Sequence, residues 1–380
     1  MSGPLSGLRI IELAGIGPGP FCGMMLADAG AEVIRIDRPG GNPAAGFGHD
    51  TMFRNRKSIA IDLKHPDGVE AVLRLCESAD AIFEGYRPGV TEKLGLGPKD
   101  CQARNKALVY GRMTGWGQTG PLANVAGHDI NYISLSGVLA SVGRAGQKPT
   151  PPLNLAGDFG GGGMMLAFGM VSALLSAKTT GKGQVVDASM VEGSSAMMSM
   201  FFDMHKSGLH GLKAGTNLLD SGAPFYDVYE TADGKYVSIG SIEPQFYALL
   251  RQHADLSDDL FEAQMDPSKW REQKAALETI FKQKTRDEWC EIMEGTDVCF
   301  APVLNLEEVP NHAHNVERQS FVEVGGQQQP APTPRYSEMP AAEPVAAAKP
   351  GAHTRETLEV CGFSSSEVDA LLNEGAASQL

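Results

Sequence analysis

LRIIELAGIGPGPFCGMMLADAGAEVIRID, residues 8–37, places two apolar runs on either side of a Gly/Pro turn and a short apolar segment of helical length. Residues 8–13 read as a buried strand, residues 14–20 as the turn, residues 21–29 as a helix and residues 32–37 as a second strand. Strands joined through a helix run parallel, because the crossover returns the chain to the same edge of the sheet. The alternation continues: residues 58–63 read as a strand, residues 67–77 as a helix with an apolar stripe, and residues 81–84 and 108–112 as further strands. This order predicts an α/β fold, a parallel sheet with helices on its faces.

The turn invites a dinucleotide-binding reading that its residues do not support. Gly15 and Gly17 follow the first strand and Asp37 ends the second, but the third glycine of G-x-G-x-x-G would fall on Pro20. Pro18 and Pro20 also lack the backbone N–H groups that cradle a pyrophosphate, and Arg38 follows Asp37 directly. NAD(P) is not expected; a nucleotide-type fold serving another adenine-bearing ligand stays open.

After about residue 220 the style changes. Residues 225–229 and 236–239 flank Thr231-Ala232-Asp233-Gly234, and Asp-Gly between apolar runs signals a hairpin. Amphipathic helical stretches follow to about residue 295, so this part reads as a small α+β domain. Residues 325–351, rich in Gln, Pro and Ala, read as an extended connection over a surface. Ser364-x-x-Glu367 predicts a capping box that opens a last helix. A chain of 380 residues is long for one core. The expected division is a large Rossmann-like domain, residues 1–200 with 325–380, and a small domain, residues 220–320.

Charge narrows the function classes. The net charge is −14, which argues against nucleic acid as a partner. Residues 1–120 carry 14 basic and 13 acidic side chains, and residues 121–380 carry 18 and 33. An anionic ligand therefore suits the first third better, although acidic helices in the second part would give the same asymmetry. No run of 18 apolar residues is present and the opening residues lack the pattern of a signal peptide, so no membrane span is expected. Six scattered cysteines without CxxC predict free thiols, and no residue pattern predicts a bound metal.

Nine phrases carry a more specific signal: GPGPFCGMMLADAGAEVIRIDRPG (17–40), NRKSIAIDLK (55–64), EGYRPGV (84–90), MTGWGQTGP (113–121), AGHDINYISLSG (126–137), PPLNLAGDFGGGG (151–163), GKGQVVDASMVEG (181–193), GAPFYDVYETADG (222–234) and GSIEPQFY (240–247). The chain resembles the family III CoA transferases from residue 4 to about residue 370, and within them the branch that racemises 2-methylacyl-CoA thioesters. The resemblance implies a Rossmann-like large domain, a small domain and an interlocked homodimer. It also implies an acyl-CoA substrate whose CoA is part of the substrate, with no separate cofactor.

Inverting a carbon that bears hydrogen requires a proton removed from one face and returned to the other, with the enolate oxygen stabilised meanwhile. His128 lies in Gly127-His128-Asp129-Ile130-Asn131-Tyr132, between a Gly/Pro loop and an apolar helical run. A helix start presents free backbone N–H groups suited to that oxygen. Asp158 lies in Gly157-Asp158-Phe159-Gly160-Gly161-Gly162-Gly163, ahead of a helix expected over residues 164–177. On its own Asp158 reads equally as an N-cap, yet four glycines lower helix propensity and favour close approach of a backbone or ligand. The resemblance makes His128 and Asp158 the opposed bases. It also implies that Glu243, of the IEPQFY phrase, hydrogen-bonds the histidine from the small domain of the other subunit. For CoA, Arg38 and Arg87 suit phosphate bidentately. The resemblance adds Ile61, Asp62, Leu63 and Lys64, and Gly127, Asp129, Ile130, Asn131 and Tyr132. Arg54, Arg56 and Lys57 add positive charge or form a solvated loop. Methionines crowd residues 164–204 and suit an adaptable apolar surface, though each alone reads as core.

Two other activities stay open at this level. A CoA transferase would use Asp158 as nucleophile and form a mixed anhydride, without need of His128 and Glu243. A non-catalytic acyl-CoA carrier would need the arginines alone. The expected compartment is the cytoplasm, with the peroxisomal matrix as alternative, because Ser378-Gln379-Leu380 resembles the Ser-Lys-Leu address except at its central residue.

Overall fold

The structure, a computed structural model, describes residues 3–41, 49–257 and 259–380. It divides into a large unit, residues 1–136, 153–197 and 319–380, and a small unit, residues 137–152 and 198–318. The stretch 137–152 therefore groups with the small unit.

In the large unit, β1 (Arg9–Leu13), β2 (Glu32–Asp37), β3 (Arg56–Ile61), β4 (Ala81–Glu84), β5 (Val109–Thr114) and β6 (Val185–Ser189) form a sheet whose neighbours along this series are parallel. The order is β12-β3-β2-β1-β4-β5-β6, and β12 (Ala377–Ser378) runs antiparallel on β3. Successive side chains of a strand point to opposite faces. Accordingly Ile10 and Ile11, both fully buried, enter two different cores. On one face Ile11, Ile34, Ile59 and Ile82 meet Val72 and Leu75 of α2 (Pro66–Ser78), Leu358 of α10 (Thr354–Val360) and Val368 of α11 (Ser365–Asn373). On the other, Ile10, Val33, Phe83 and Val109 meet Cys22 and Leu26 of α1 (Pro18–Asp28) and Leu166, Met170 and Leu174 of α4 (Met165–Thr180). Burying one such side chain contributes roughly 1.5–3 kcal/mol. Strand order reverses between β1 and β4, and that reversal leaves a crevice beyond their carboxyl ends.

The predicted strands at 32–37 and 81–84 match β2 and β4, and the others shift by one or two residues. The largest difference lies at 155–164. The sequence reading opened the helix at residue 164, but Leu155–Met164 is already a π-helical stretch that runs straight into α4. Packing overrides propensity there. A Cβ on Gly161 would lie 2.4 Å from Ser194 Oγ, and one on Gly163 would lie 2.8 Å from Phe21 Cδ1. The glycines thus let the π-helical backbone press against α1 and α5 (Met190–Met197). Together Leu155–Thr180 make 26 helical residues, long and apolar enough by length and composition to cross a membrane, where the sequence suggested no span. One side packs on β5 and β6. Met164, Phe168, Val171 and Leu175 form an exposed stripe on the other.

The small unit pairs β7 (Tyr226–Glu230), β8 (Tyr236–Gly240) and β9 (Phe300–Val303) antiparallel in that order, with the Asp233-Gly234 turn joining the first two. It also holds α6 (Ser199–Lys206), α7 (Pro244–His253), α8 (Trp270–Phe281) and α9 (Arg286–Met293). Phe225, Tyr229, Leu250, Phe281 and Trp289 fill its core. The extended connection begins later than expected, because β10 (Phe321–Val324) and β11 (Gln327–Pro330) form a hairpin. Gly325 and Gly326, both with positive φ, make its turn. Ser364 and Glu367 form the expected capping box on α11.

Candidate active site

Beyond the carboxyl ends of β1, β4 and β5 lies a cleft of about 740 Å³, lined by residues of the large unit alone. His128 and Asp158 both face it. The turn after β1 forms one wall. Gly17 holds φ 67°, and a Cβ there would sit 3.1 Å from Asp158 Oδ2, so glycine serves both the turn and the close approach. Arg87, Trp116, Tyr132, Phe159 and Met190 contribute to the remaining lining.

His128 is exposed and stands immediately before α3 (Asp129–Ser136), as its phrase predicted. Its backbone N–H donates to Asn131 Oδ1 at 3.0 Å, and its carbonyl accepts from Asn131 N at 2.8 Å. The loop leading to it is pinned from below. The Tyr132 hydroxyl donates to the carbonyl of Gly127, and the Trp116 indole donates to the carbonyl of Val125 at 3.1 Å. The two rings meet edge to face at 4.7 Å. Gly115 leaves room for the Tyr132 ring, which a Cβ would approach to 2.0 Å. Tyr132 and Asn131 thus also shape the loop that presents His128.

Asp158 is half-buried and sits in the fourth position of the π-helical stretch, so the N-cap reading is not realised; Asn154 holds that position. Asn154 Nδ2 donates to Asp158 Oδ2 at 3.0 Å, and the backbone N–H of Asp158 donates to Asp129 Oδ1 at 2.8 Å. Burial is the largest influence on the carboxyl and pushes it above its ordinary range. Neighbouring Asp129 acts in the same direction, against Asn154 and His128. Such a carboxyl is poised to release a proton in one direction of a reaction and hold it in the other. Sequence reasoning missed Asn154. Its spacing of four residues from Asp158 is the signal, once the segment is known to be helical.

Glu243 lies in the small unit as the N-cap residue of α7. Its carbonyl accepts from Phe246 N and Tyr247 N, while its exposed carboxylate makes no cap bond. The Gln264 amide fixes the approach to it by donating to the carbonyls of Ser241 and Ile242.

Among the CoA candidates, Arg87 is exposed and lines the cleft. Arg38 is exposed directly after β2, and Asp62, Leu63 and Lys64 follow β3, so all lie along the same carboxyl edge of the sheet. Ile61 is 1% exposed and its side chain belongs to the core. Ile130 is exposed at the start of α3, whereas Asp129 is buried. Arg54 and Arg56 do not form a solvated basic loop. Arg54 pairs with Asp28 through Nε–Oδ1 at 3.0 Å and Nη2–Oδ2 at 2.5 Å. Arg56 Nε lies 3.2 Å from Glu12 Oε2, with both side chains buried. Burial neutralises them as phosphate ligands, and only Lys57 reaches outward, to Glu32 at 3.0 Å. All six cysteines are free.

The sheet has a Rossmann-type strand order, with His128 and Asp158 at its switch-point crevice. The model of CoA-transferase family III matches residues 5–354, and the chain belongs to that family. It is 47% identical to mouse "Alpha-methylacyl-CoA racemase" and 46% identical to the human protein of that name, in both cases over 96% of this chain and 95% of the relative. It is 30% identical to mouse "Succinyl-CoA:glutarate CoA-transferase" over 99% of this chain and 91% of the relative. Among solved structures, Rv3272 from Mycobacterium tuberculosis superposes with a TM-score of 0.78 at 27% identity, over 93% of this chain and 98% of that one. A CAIB/BAIF family protein from Brucella suis shares the fold at a TM-score of 0.82 and 24% identity, over 95% of this chain and all of that one.

Proposed function

We propose that the chain is an isomerase that interconverts the (R) and (S) forms of 2-methylacyl-CoA thioesters by 1,1-proton transfer. The observation that carries this reading is the presence of two different acid/base groups, an imidazole and a carboxyl raised by burial, on separate elements of one cleft. One takes the α-proton as the other returns a proton to the opposite face. The thioester oxygen, as it gains enolate charge, is met by the free backbone N–H groups that open α3. Arg87 at the cleft, with Arg38 and residues 62–64 along the same sheet edge, receives the phosphates of CoA, which enters as part of the substrate.

Glu243 serves the histidine of a second copy, orienting its ring and stabilising its protonated form. Its exposed carboxylate, which makes no cap bond to its own helix, supports this role. A homodimer also accounts for the exposed stripe Met164, Phe168, Val171 and Leu175, which a second copy would cover.

Incubating one epimer of a 2-methylacyl-CoA in D₂O tests the activity: epimerisation with α-deuterium in both epimers is expected. His128→Gln and Asp158→Asn should each lower racemisation by about three orders of magnitude or more while leaving thioester binding intact. Racemisation near the parent's rate in either variant would remove the two-base scheme. Exchange of CoA onto an added free acid, without epimerisation, would identify Asp158 as a nucleophile instead.

A further inference from the structure

Proton transfer in both directions asks two things of Asp158: it must hold a proton as readily as it yields one, and it must stay in register with His128. Its position in the first turn of a long helical run works against the first, because a helix start favours the carboxylate. The surrounding contacts act the other way. Asp129 Oδ1 takes the backbone N–H of Asp158 at 2.8 Å. Asp129 is 7% exposed, and its carboxylate fills a slot that exists only because residue 157 is glycine; a Cβ there would lie 2.2 Å from the same oxygen. Asp129 is also the residue after His128. One side chain therefore ties the segment bearing the imidazole to the segment bearing the carboxyl.

We infer that Asp129 is the positioning residue of the proton-transfer site, fixing the register between His128 and Asp158 and placing a negative charge beside Asp158. This rests on the two-base reading above and gives Asp129 a role distinct from contact with CoA. Asp129 and His128 are the titratable groups acting on Asp158, and Tyr132 stands nearby. The neighbouring α1 and α5 present Pro18, Phe21, Met190 and Ser194 to this stretch, none of them charged. Burial raises the Asp158 carboxyl most. Asp129 adds to that, and together they outweigh Asn154 and His128. A tie that was only structural would need the oxygen but not the charge.

Asp129→Asn and Asp129→Ala separate the two parts. Asparagine keeps an oxygen for the Asp158 N–H and removes the charge. Its kcat at the optimum should stay within about tenfold of the parent, and the acid limb of its kcat/KM profile should move to lower pH by about one unit. Alanine loses the tie as well, and kcat should fall by about two orders of magnitude with KM little changed. Carbon-13 titration of the aspartate carboxyls, with Asp158 assigned through Asp158→Asn, should show the same downward displacement in Asp129→Asn without any turnover. That readout stands even if Asp158 proves dispensable for racemisation, so the inference and the reading beneath it fail separately. An Asp158 titration unchanged in Asp129→Asn overturns the role of the charge. An alanine variant as active as the asparagine variant overturns the tie. Should the alanine variant not fold, the asparagine variant's profile and titration decide alone.

Discussion

On the two-base reading proposed above, Asp158 joins chemistry and stability in one carboxyl. Folding raises its proton affinity, chiefly through burial. A carboxyl raised in the folded state gives its full stability below the ordinary carboxylate range and loses it as pH climbs through the raised value. Asp158→Asn cannot lose a proton, so its thermal midpoint should gain on the parent's as pH goes from about 4 to about 8, values that bracket the usual carboxylate range. Activity should be absent throughout. A midpoint difference constant over that interval would mean that the carboxyl is not desolvated. At this scale the sequence was readable where a residue's placement follows from its own phrase, as with His128 and Asp158, which both line the cleft. It was mute where a role depends on a distant partner. Asp129 meets the Asp158 backbone 29 positions on, and nothing in Gly127-His128-Asp129 announces it. The same blindness made Arg54 and Arg56 look available, since Asp28 and Glu12, which neutralise them, lie on other elements.

Among elements, the π-helical stretch decides where Asp158 points, and its glycines decide how closely it packs. Each glycine inside a helix costs about 1 kcal/mol relative to alanine, which is why the expected helix began only at residue 164. The contacts with α1 and α5 offset that cost. Gly193 faces Gly161 so closely that a Cβ on it would lie 1.9 Å from the Gly161 carbonyl oxygen. Gly161→Ala should therefore destabilise the chain by about 1–3 kcal/mol despite alanine's better helix propensity. It should also lower kcat more than it raises KM, because the displaced segment carries Asp158 but none of the proposed phosphate contacts. Urea unfolding and steady-state kinetics check both; a stabilised variant would show that propensity, not packing, governs this stretch. Strand legibility followed the same physics. β2 beyond its first residue and β4 throughout are buried, with apolar runs that made their bounds readable. The first half of β6 is partly exposed, and β12 is two residues long, so neither stood out in the sequence.

The whole molecule poses the question of what completes the site. One copy presents an exposed Phe168, 73% accessible, in line with Met164, Val171 and Leu175, and an exposed Glu243 carboxylate that its own helix does not use. A homodimer in which Glu243 serves the partner's imidazole accounts for both, and it makes assembly a condition of activity. Glu243→Gln should then lower kcat by about one to two orders of magnitude with KM largely intact, since the carboxylate supports a group that works in the transition state. Light scattering should report a dimer for the parent and for this variant. The cross-subunit arrangement is decided by mixing lesions. Co-expressed His128→Gln and Glu243→Gln chains form heterodimers in which one site takes both lesions and the other takes none. That intact site should return activity towards half the parent's value per heterodimer, far above either variant alone. If Glu243 instead served its own chain, every site in the mixture would carry one lesion, and activity would stay at the average of the two parents whatever the proportion of heterodimer. Tagging the two chains differently and isolating the mixed species before assay makes the two outcomes differ by about tenfold or more, an estimate that follows from the kcat loss expected of the single variants.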